Sequence, residues 1–210
     1  MTSKDFLDKL KQGFSRELPG IDAHKRMSPI NRLIAPLTVE ERKKYRNSAV
    51  SLICFPINNN IHCVLLQRSE YEGNHSAQMS FPGGKWEEND ESLEHTARRE
   101  TLEEIGVTLA AANLIGKLTE VYIPVSNFVI EPYVYFLNEA PTLFPNVREV
   151  ASLHYISVLD LLNDEYIKAM DMTLSTGIKM KNVPYFLLDN KIVWGATAIV
   201  LSEFKEMLKD

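Results

Sequence analysis

Apolar residues recur at helical spacing near both ends of the chain. Near the start, one helical face collects Phe6, Leu7, Leu10 and Phe14, which predicts a short amphipathic helix over residues 3–15. Near the end, a second stripe predicts a helix over about residues 196–208, and its members are Ile199, Val200, Phe204, Met207 and Leu208. Each stripe needs an apolar surface to cover it, either the sheet of its own domain or a second subunit.

The middle of the chain contains apolar and β-branched runs that predict strands. Two of these runs, 49–55 and 61–67, are separated by three asparagines, which predicts a hairpin. Further runs predict strands at 114–123, 128–137, 150–156, 185–188 and 192–194, with a turn at Asp189 and Asn190 between the last two. Strands mixed with helices favour a three-layer α/β/α sandwich with a mixed β-sheet.

Short polar signals mark the segments between those runs. Thr38 and Glu41 have the spacing of a capping box, which predicts a short helix to about Tyr45. Ser157 is placed to cap another short helix. Proline and glycine residues predict a loop over residues 20–37.

Residues 83–107 combine a glycine turn, a polar loop and a predicted helix over about 92–105. The helix carries Glu100, Glu103 and Glu104, and residues three or four apart share one helical face. Three carboxylates on one face repel each other, but a divalent cation reverses that penalty. Carboxylate oxygens are hard ligands that suit Mg²⁺ or Mn²⁺.

This segment resembles the Nudix box, which runs from a glycine through an acidic residue to an Arg-Glu and a Glu-Glu pair. The matching positions are Arg99, Glu100, Glu103, Glu104, Gly106 and Val107. Thr101 stands where an aliphatic residue is usual. The first half is displaced, because six residues instead of five separate Gly84 from Glu91, unless Asp90 takes the acidic position. The resemblance implies the Nudix fold and hydrolysis of a diphosphate.

A second signature lies upstream and resembles the coenzyme A pyrophosphatase branch of the Nudix hydrolases. Arg68, Ser69 and residues 81–84 (Phe-Pro-Gly-Gly) match that branch at its spacing. Two positions depart from it, since Gly73 stands where the branch has arginine and Ala77 where it has glycine. These departures keep other diphosphates open as substrates.

Matches at residues 183–186 and 192–198 extend the resemblance toward the C-terminus. We therefore expect a Nudix domain at 46–210 that includes the C-terminal helix, preceded by an N-terminal helical extension at 1–45. The helix at 3–15 lies outside the resemblance, so its stripe is the better candidate for the interface of a homodimer.

The resemblance implies a metal site on the central helix. Glu100 and Glu104, one turn apart, are the expected ligands of Mg²⁺ or Mn²⁺, and a backbone carbonyl near Gly83 or Gly84 is a further candidate. Glu103 is expected to bind a second cation or to orient the attacking water.

Other acidic and basic residues have expected roles around that metal. Arg99 neighbours Glu103 on the helix and is expected to orient a carboxylate. Glu149 is a candidate general base, and the alternative is an ordinary exposed loop carboxylate. Asp90 is expected to be a solvated loop charge, while Glu91 is a candidate contact for a metal-bound water.

Four residues are candidates for substrate binding. Arg68 and Lys85 supply positive charge for a diphosphate. Trp86 lies in a polar loop where its ring can stack on an adenine. His75 lies where the branch places substrate contacts.

Composition and charge argue against nucleic acid and membranes as binding partners. A chain of 210 residues with 45% hydrophobic content can bury one sizeable core. A net charge of −5 offers no broad positive field for nucleic acid or an anionic membrane surface. The chain has neither a signal-peptide pattern nor a membrane-length apolar run. Cys54 and Cys63 fit as apolar fillers in strands, which suits a reducing cytoplasm.

The sequence leaves three functions open. The leading one is a metal-dependent hydrolase of coenzyme A or a related nucleoside diphosphate derivative. The second is a Nudix hydrolase for ADP-ribose or nucleotide sugars. The third is a non-catalytic module that binds a nucleotide, although a pure binder has no need for three clustered carboxylates.

Overall fold

The computed structural model describes residues 1–29, 38–69, 78–124, 126–173 and 177–209. Within these ranges the α-helices are α1 (Ser3–Phe14), α2 (Gly20–Arg26), α3 (Val39–Arg42), α4 (Leu93–Ile105), α5 (Val158–Leu162) and α6 (Gly195–Leu208). The strands are β1 (Arg46–Ile57), β2 (Asn60–Arg68), β3 (Met79–Ser80), β4 (Gly83–Lys85), β5 (Leu114–Lys117), β6 (Val121–Ile123), β7 (Phe128–Phe136), β8 (Val150–Ser157), β9 (Ile167–Thr173), β10 (Lys179–Leu188) and β11 (Lys191–Val193). The three long helices agree with their predicted bounds to within one residue at each end.

Strand β1 is the centre of a mixed sheet. It pairs parallel with β7 and antiparallel with β2 and β4, and β8 and β3 extend the sheet through β2. Its side chains alternate, so that Leu52 and Cys54 enter the core shared with α6, whereas Ile53 and Phe55 enter the core shared with α4. The sheet therefore lies between α4 on one face and α1 and α6 on the other, which confirms the α/β/α sandwich.

The apolar stripe of α1 is covered within the chain. Phe6 and Leu10 are fully buried, and the Phe6 ring lies 6.2 Å from the ring of Phe204 on α6. Gly13 packs so closely on Met207 that an added Cβ would lie 3.0 Å from its Cε. The prediction that this stripe meets a second subunit is therefore wrong, because α6 and the sheet already bury it. The division at residues 45 and 46 stays a prediction.

Helix α2 replaces the first part of the loop that was predicted over 20–37, and residues 30–37 lie outside the described ranges. A polar network anchors it, because Glu203 of α6 is fully buried and accepts hydrogen bonds from groups on two other segments. Its donors are the Gly20 N–H at 3.1 Å, His24 Nε2 at 3.0 Å, and the N–H and Oγ1 of Thr119 at 3.1 and 2.7 Å. This carboxylate joins α2 and the β5–β6 connection to α6.

Strands β9, β10 and β11 form a second sheet that the sequence predicted only in part. The turn at Asp189 and Asn190 is confirmed, and both residues have positive φ, 49° and 56°. Strand β9 was not predicted, and β10 begins six residues earlier than expected. Most of β9 is exposed, so it lacks the alternating apolar signal of a half-buried strand.

Cys54 and Cys63 face each other across β1 and β2 and remain free thiols. Burial raises the pKa of both, that of Cys63 to about 12. They act as apolar fillers, as predicted. Among the described residues, no helix has the length and apolar character needed to cross a membrane.

Candidate active site

Helix α4 presents the acidic face of the site and has well-defined ends. Ser92 caps its start, since the Ser92 Oγ accepts a hydrogen bond from the His95 N–H at 3.1 Å. Gly106 ends it with φ of 71°, the left-handed conformation that glycine adopts without strain. The bounds of α4 fix Glu100 and Glu104 one turn apart, facing strand β4.

Glu104 is the most buried carboxylate of the site, with 1% of its surface exposed. It accepts hydrogen bonds from the Gly83 N–H at 2.9 Å and from Arg68 Nη1 at 3.2 Å. Burial nevertheless raises its pKa to about 7, and the charges of Glu100 and Glu149 act in the same direction. The two hydrogen bonds therefore do not offset the cost of burying the ionised form of Glu104.

Glu100 lies directly against Gly84. A Cβ added to Gly84 would lie 2.4 Å from the Glu100 carboxyl carbon, so only glycine leaves room for this carboxylate. Burial raises the pKa of Glu100, and the charges of Glu103 and Glu149 add to that effect, while Arg99 opposes it. The predicted close approach at the glycine pair thus brings backbone and carboxylate together.

Asp90 occupies the acidic position of the displaced box. Five residues separate it from Gly84, and its Oδ1 and Oδ2 accept hydrogen bonds from Arg99 Nε and Nη2 at 2.9 and 3.0 Å. The Thr96 Oγ1 and the Glu87 N–H also donate to it, at 2.8 and 3.0 Å. The Arg99 hydrogen bonds hold the Asp90 pKa well below its usual range. The prediction of a solvated loop charge at Asp90 is wrong, because this carboxylate is 6% exposed and paired.

Arg99 connects Asp90 to the acidic face of α4. Its Nη1 donates to Glu100 at 3.0 Å and to Glu103 at 3.1 Å, so the predicted contact with a carboxylate is present. Its Nη2 also donates to the Lys85 carbonyl at 3.1 Å. Because Asp90 holds the guanidinium at its other edge, Arg99 has one orientation in which it can reach all these groups. Glu91, in contrast, is exposed.

A buried hydroxyl pair explains the residue that departs from the box. Thr101 is fully buried, and its Oγ1 lies 2.9 Å from the Ser51 Oγ on β1 and 2.7 Å from the Ala97 carbonyl. The Ser51 Oγ itself donates to the same carbonyl at 3.0 Å. A threonine replaces the usual aliphatic residue here because β1 offers a hydroxyl partner, a pairing that the sequence alone did not reveal.

Glu103 and Glu149 lie at the rim of the site. The Glu103 side chain is 53% exposed and contacts Arg99. Glu149 is exposed on a segment that is joined to α4 by a hydrogen bond of 2.8 Å from the Asn146 N–H to the Glu104 carbonyl. Glu149 is near enough for its charge to raise the pKa of both buried glutamates. Within the described ranges, no three His, Cys, Asp or Glu side chains are already arranged around a metal position.

The predicted substrate residues occupy different positions. The Arg68 side chain is 28% exposed and reaches the site through Glu104. Lys85 is exposed beside the glycine pair. Trp86 is 37% exposed, and its indole N–H donates to the Asp90 carbonyl at 3.2 Å, which fixes the ring beside the pair of Asp90 and Arg99, called the clamp below. His75 lies outside the described residues, as do the two positions that depart from the branch motif.

The donor set fits a hard divalent cation. Glu100 and Glu104 place carboxylate oxygens on one helix face, and the backbone of Gly84 lies directly against Glu100. A cation between the two carboxylates would relieve the unfavourable burial of Glu104. The arrangement has the chemistry of a metal-dependent phosphoryl-transfer centre.

The comparisons with known proteins agree with this class. The NUDIX domain family model matches residues 47–173, so the chain belongs to the Nudix family. A relative named "Uncharacterized Nudix hydrolase NudL", from Yersinia enterocolitica, is 28% identical over 145 residues, which are 69% of this chain and 73% of the relative. Nudix hydrolases act on the diphosphate bonds of nucleoside diphosphate derivatives, and the chain is an enzyme of this kind.

Two solved structures support the fold. A MutT/nudix family protein from Enterococcus faecalis superimposes with a TM-score of 0.53 at 16% identity, covering 88% of this chain and 71% of that one. The MutT protein from Methanosarcina mazei superimposes with a TM-score of 0.50 at 18% identity, covering 77% and 93%. Family members generally use divalent metals, typically Mg²⁺.

Proposed function

We propose that this Nudix hydrolase cleaves the diphosphate of coenzyme A or of a related nucleoside diphosphate derivative, with Mg²⁺ or Mn²⁺ as cofactor. The observation that carries the proposal is a contact between two motifs. Arg68 and Gly83 belong to the segment that resembles the coenzyme A branch, and both donate hydrogen bonds to Glu104 of the box, at 3.2 and 2.9 Å. The branch motif and the acidic helix therefore form one site.

Glu100 and Glu104 are the proposed metal ligands, with the Gly84 carbonyl as a further donor. The chemistry that a divalent cation would supply there, when bound, is neutralisation of charge on the diphosphate. Arg99 is a positioning residue that holds Glu100 and Glu103 in place from the Asp90 side. Glu103, at the exposed rim, is proposed to bind a second cation or orient the water.

Glu149 is the proposed general base. The proposal is supported by its exposure and by its charge, which raises the pKa of both Glu100 and Glu104. A base needs access to water and a short distance to the reacting bond. The Asn146 Nδ2 donates to its Oε1 at 3.1 Å and restrains the side chain.

The proposed substrate contacts surround this centre. Arg68 is partly exposed, so its guanidinium can pair with a phosphate oxygen while it holds Glu104. Lys85 adds a second positive charge, and the ring of Trp86 offers an apolar face to an adenine. His75 completes the proposed set from the sequence alone.

A panel of diphosphates tests the function. Coenzyme A, ADP-ribose and nucleotide sugars are incubated with the enzyme and Mg²⁺ or Mn²⁺, and the products are resolved by mass. We expect 3′,5′-ADP and 4′-phosphopantetheine from coenzyme A, and faster cleavage by Gly73→Arg, which restores the branch residue. Rapid cleavage of ADP-ribose without cleavage of coenzyme A would instead support the second function. Binding without any cleavage would support a nucleotide-binding module.

A further inference from the structure

A chain of hydrogen bonds outside the diphosphate site joins a serine, a histidine and an aspartate. The Ser152 Oγ lies 2.8 Å from His154 Nε2, and His154 Nδ1 lies 2.6 Å from Asp189 Oδ2. Ser152 and His154 are two residues apart on β8, so both side chains project from the same face of the strand. Asp189 reaches them from the turn between β10 and β11.

The protonation pattern of this chain follows from chemistry. An ionised carboxylate only accepts hydrogen bonds, so the His154 Nδ1 must carry the proton that it shares with Asp189. Nε2 of the neutral ring then has a free lone pair and accepts the hydroxyl proton of Ser152. The arrangement therefore prepares the serine oxygen to lose its proton to the ring.

The side chains of Gln67 and Lys191 lie on the side of the Ser152 hydroxyl away from His154. Lys191 Nζ donates to the Gln67 Oε1 at 3.1 Å, which orients that oxygen toward the pair of strands. The same Oε1 is a second acceptor for the Ser152 hydroxyl proton, at 3.2 Å from the Oγ. The shorter contact, 2.8 Å, favours His154 as the acceptor of the hydroxyl proton. The ammonium of Lys191 and the hydroxyl thus lie on either side of one amide oxygen.

This cluster is separate from the diphosphate site. Along β2, Gln67 projects from the face that carries Cys63 and Leu65, whose core includes α6, whereas Arg68 projects toward α4. Ser152 is partly exposed, and the Asp189 side chain is 50% exposed.

We propose that Ser152 is a second, nucleophilic site that accepts acyl groups from small carboxylic esters. The Ser152 oxygen adds to the ester carbonyl carbon while its proton passes to His154 Nε2. The tetrahedral adduct then expels the alcohol, which takes the proton from the ring and leaves an acyl ester on Ser152. Water repeats the same steps and releases the acid. Asp189 is a positioning residue, because it holds the ring in the required tautomer.

Covalent labelling tests the proposal. The enzyme is incubated with a fluorophosphonate, whose phosphorus bonds to the serine oxygen as fluoride leaves, and the labelled peptide is located by mass. We expect one adduct, at Ser152, that forms at least about 100-fold faster than any adduct at Ser126, and none in Ser152→Ala. Ser126→Ala is the matched control, since this serine is also partly exposed and its carbonyl accepts a hydrogen bond from Arg46.

The role of the aspartate has its own variants. Asp189→Asn should slow labelling by about 10²- to 10⁴-fold without changing the thermal unfolding temperature, because asparagine also tolerates the positive φ of this turn. Asp189→Glu should recover part of the rate. Burst release of nitrophenol from p-nitrophenyl acetate, with one acetyl group on Ser152, is the expected result with an ester. Labelling of Ser152 no faster than of Ser126 would overturn the proposal. The hydrogen bonds of the cluster would then only stabilise the turn between β10 and β11 against β8.

Discussion

Two buried glutamates lie on opposite faces of the same sheet, and their surroundings differ in kind. Glu203 is fully buried and accepts hydrogen bonds from Gly20, His24 and Thr119. Glu104 is equally buried but has Gly83 and Arg68 as donors, with the charges of two other carboxylates nearby. Equal burial therefore does not imply an equal role.

The difference lies in how far the protein itself compensates each charge. Glu203 accepts hydrogen bonds from donors on two other segments, α2 and the β5–β6 connection, which is what a structural carboxylate needs. Burial leaves Glu104 with a pKa of about 7, so its ionised form is poorly stabilised by the protein alone. We propose that the catalytic metal is the cation that compensates the charge of Glu104.

The largest expected effect is on turnover in Glu104→Gln. Loss of a ligand charge weakens both metal binding and neutralisation of the breaking diphosphate, so turnover should fall by about 10³-fold. Initial rates with saturating Mg²⁺ measure it. Glu88→Gln is the matched control, because Glu88 is exposed in the loop before α4 and the variant should retain nearly full activity. Full activity in Glu104→Gln would contradict the assignment of this carboxylate to the metal.

Glu203→Gln should lower the stability of the fold and leave turnover nearly unchanged, the reverse of Glu104→Gln. The variant removes the negative charge that accepts four hydrogen bonds, so the free energy of unfolding should fall by about 3 kcal/mol. Denaturant titration measures the stability, and the rate per folded molecule should stay near that of the unchanged protein. An unchanged stability would show that the network around Glu203 does not hold α2 to α6.

The two glutamates should also differ in how pH affects the metal-free protein. The folded-state pKa of Glu104 is raised from 4.5 to about 7, so the folded state holds a proton that the unfolded state releases. The stability that this proton confers is present below pH 4.5 and is lost as pH rises through about 7. Between these values the unchanged protein should lose about 3 kcal/mol relative to Glu104→Gln. Unfolding curves in chelator at several pH values measure this, and parallel pH profiles would contradict it.

The smallest expected effect is that of the clamp. Asp90→Asn leaves Arg99 without its carboxylate partner, so stability should fall by about 2 kcal/mol and turnover by about tenfold, since Arg99 no longer fixes Glu100. Thermal unfolding and initial rates measure both. If Asp90 were a solvated charge, as the sequence suggested, neither quantity would change.

Local patterns in the sequence predicted the helices well. The bounds of α4 follow from a serine cap, three spaced carboxylates and a terminal glycine, all within fifteen residues. The stripe of α6 and the asparagine turn between β1 and β2 are likewise local signals. Strand β9 lacks such a signal because its residues are mostly exposed on both faces. The predicted strand at 114–123 divides into β5 and β6, with residues 118–120 between them.

Long-range pairings were beyond the sequence. Asp90 is one of several acids in a polar loop, and only the fold brings Arg99 to it. The partner of Thr101 is Ser51, fifty residues away on β1. The partner of Glu203 on the β5–β6 connection is Thr119. The sequence predicted Glu100, Glu103 and Glu104 as site carboxylates, but the donors that surround each one depend on which segments the sheet brings together.

Mn²⁺ binding to the metal-free protein tests the central claim most directly. Calorimetric titration at pH 6 in two buffers of different ionisation enthalpy gives both the affinity and the protons released. We expect the unchanged protein and Glu203→Gln to bind Mn²⁺ with similar affinity and to release close to one proton. Glu104→Gln should lose most of the affinity and that proton. Tight binding with proton release in Glu104→Gln would contradict the claim that Glu104 is a ligand of the metal.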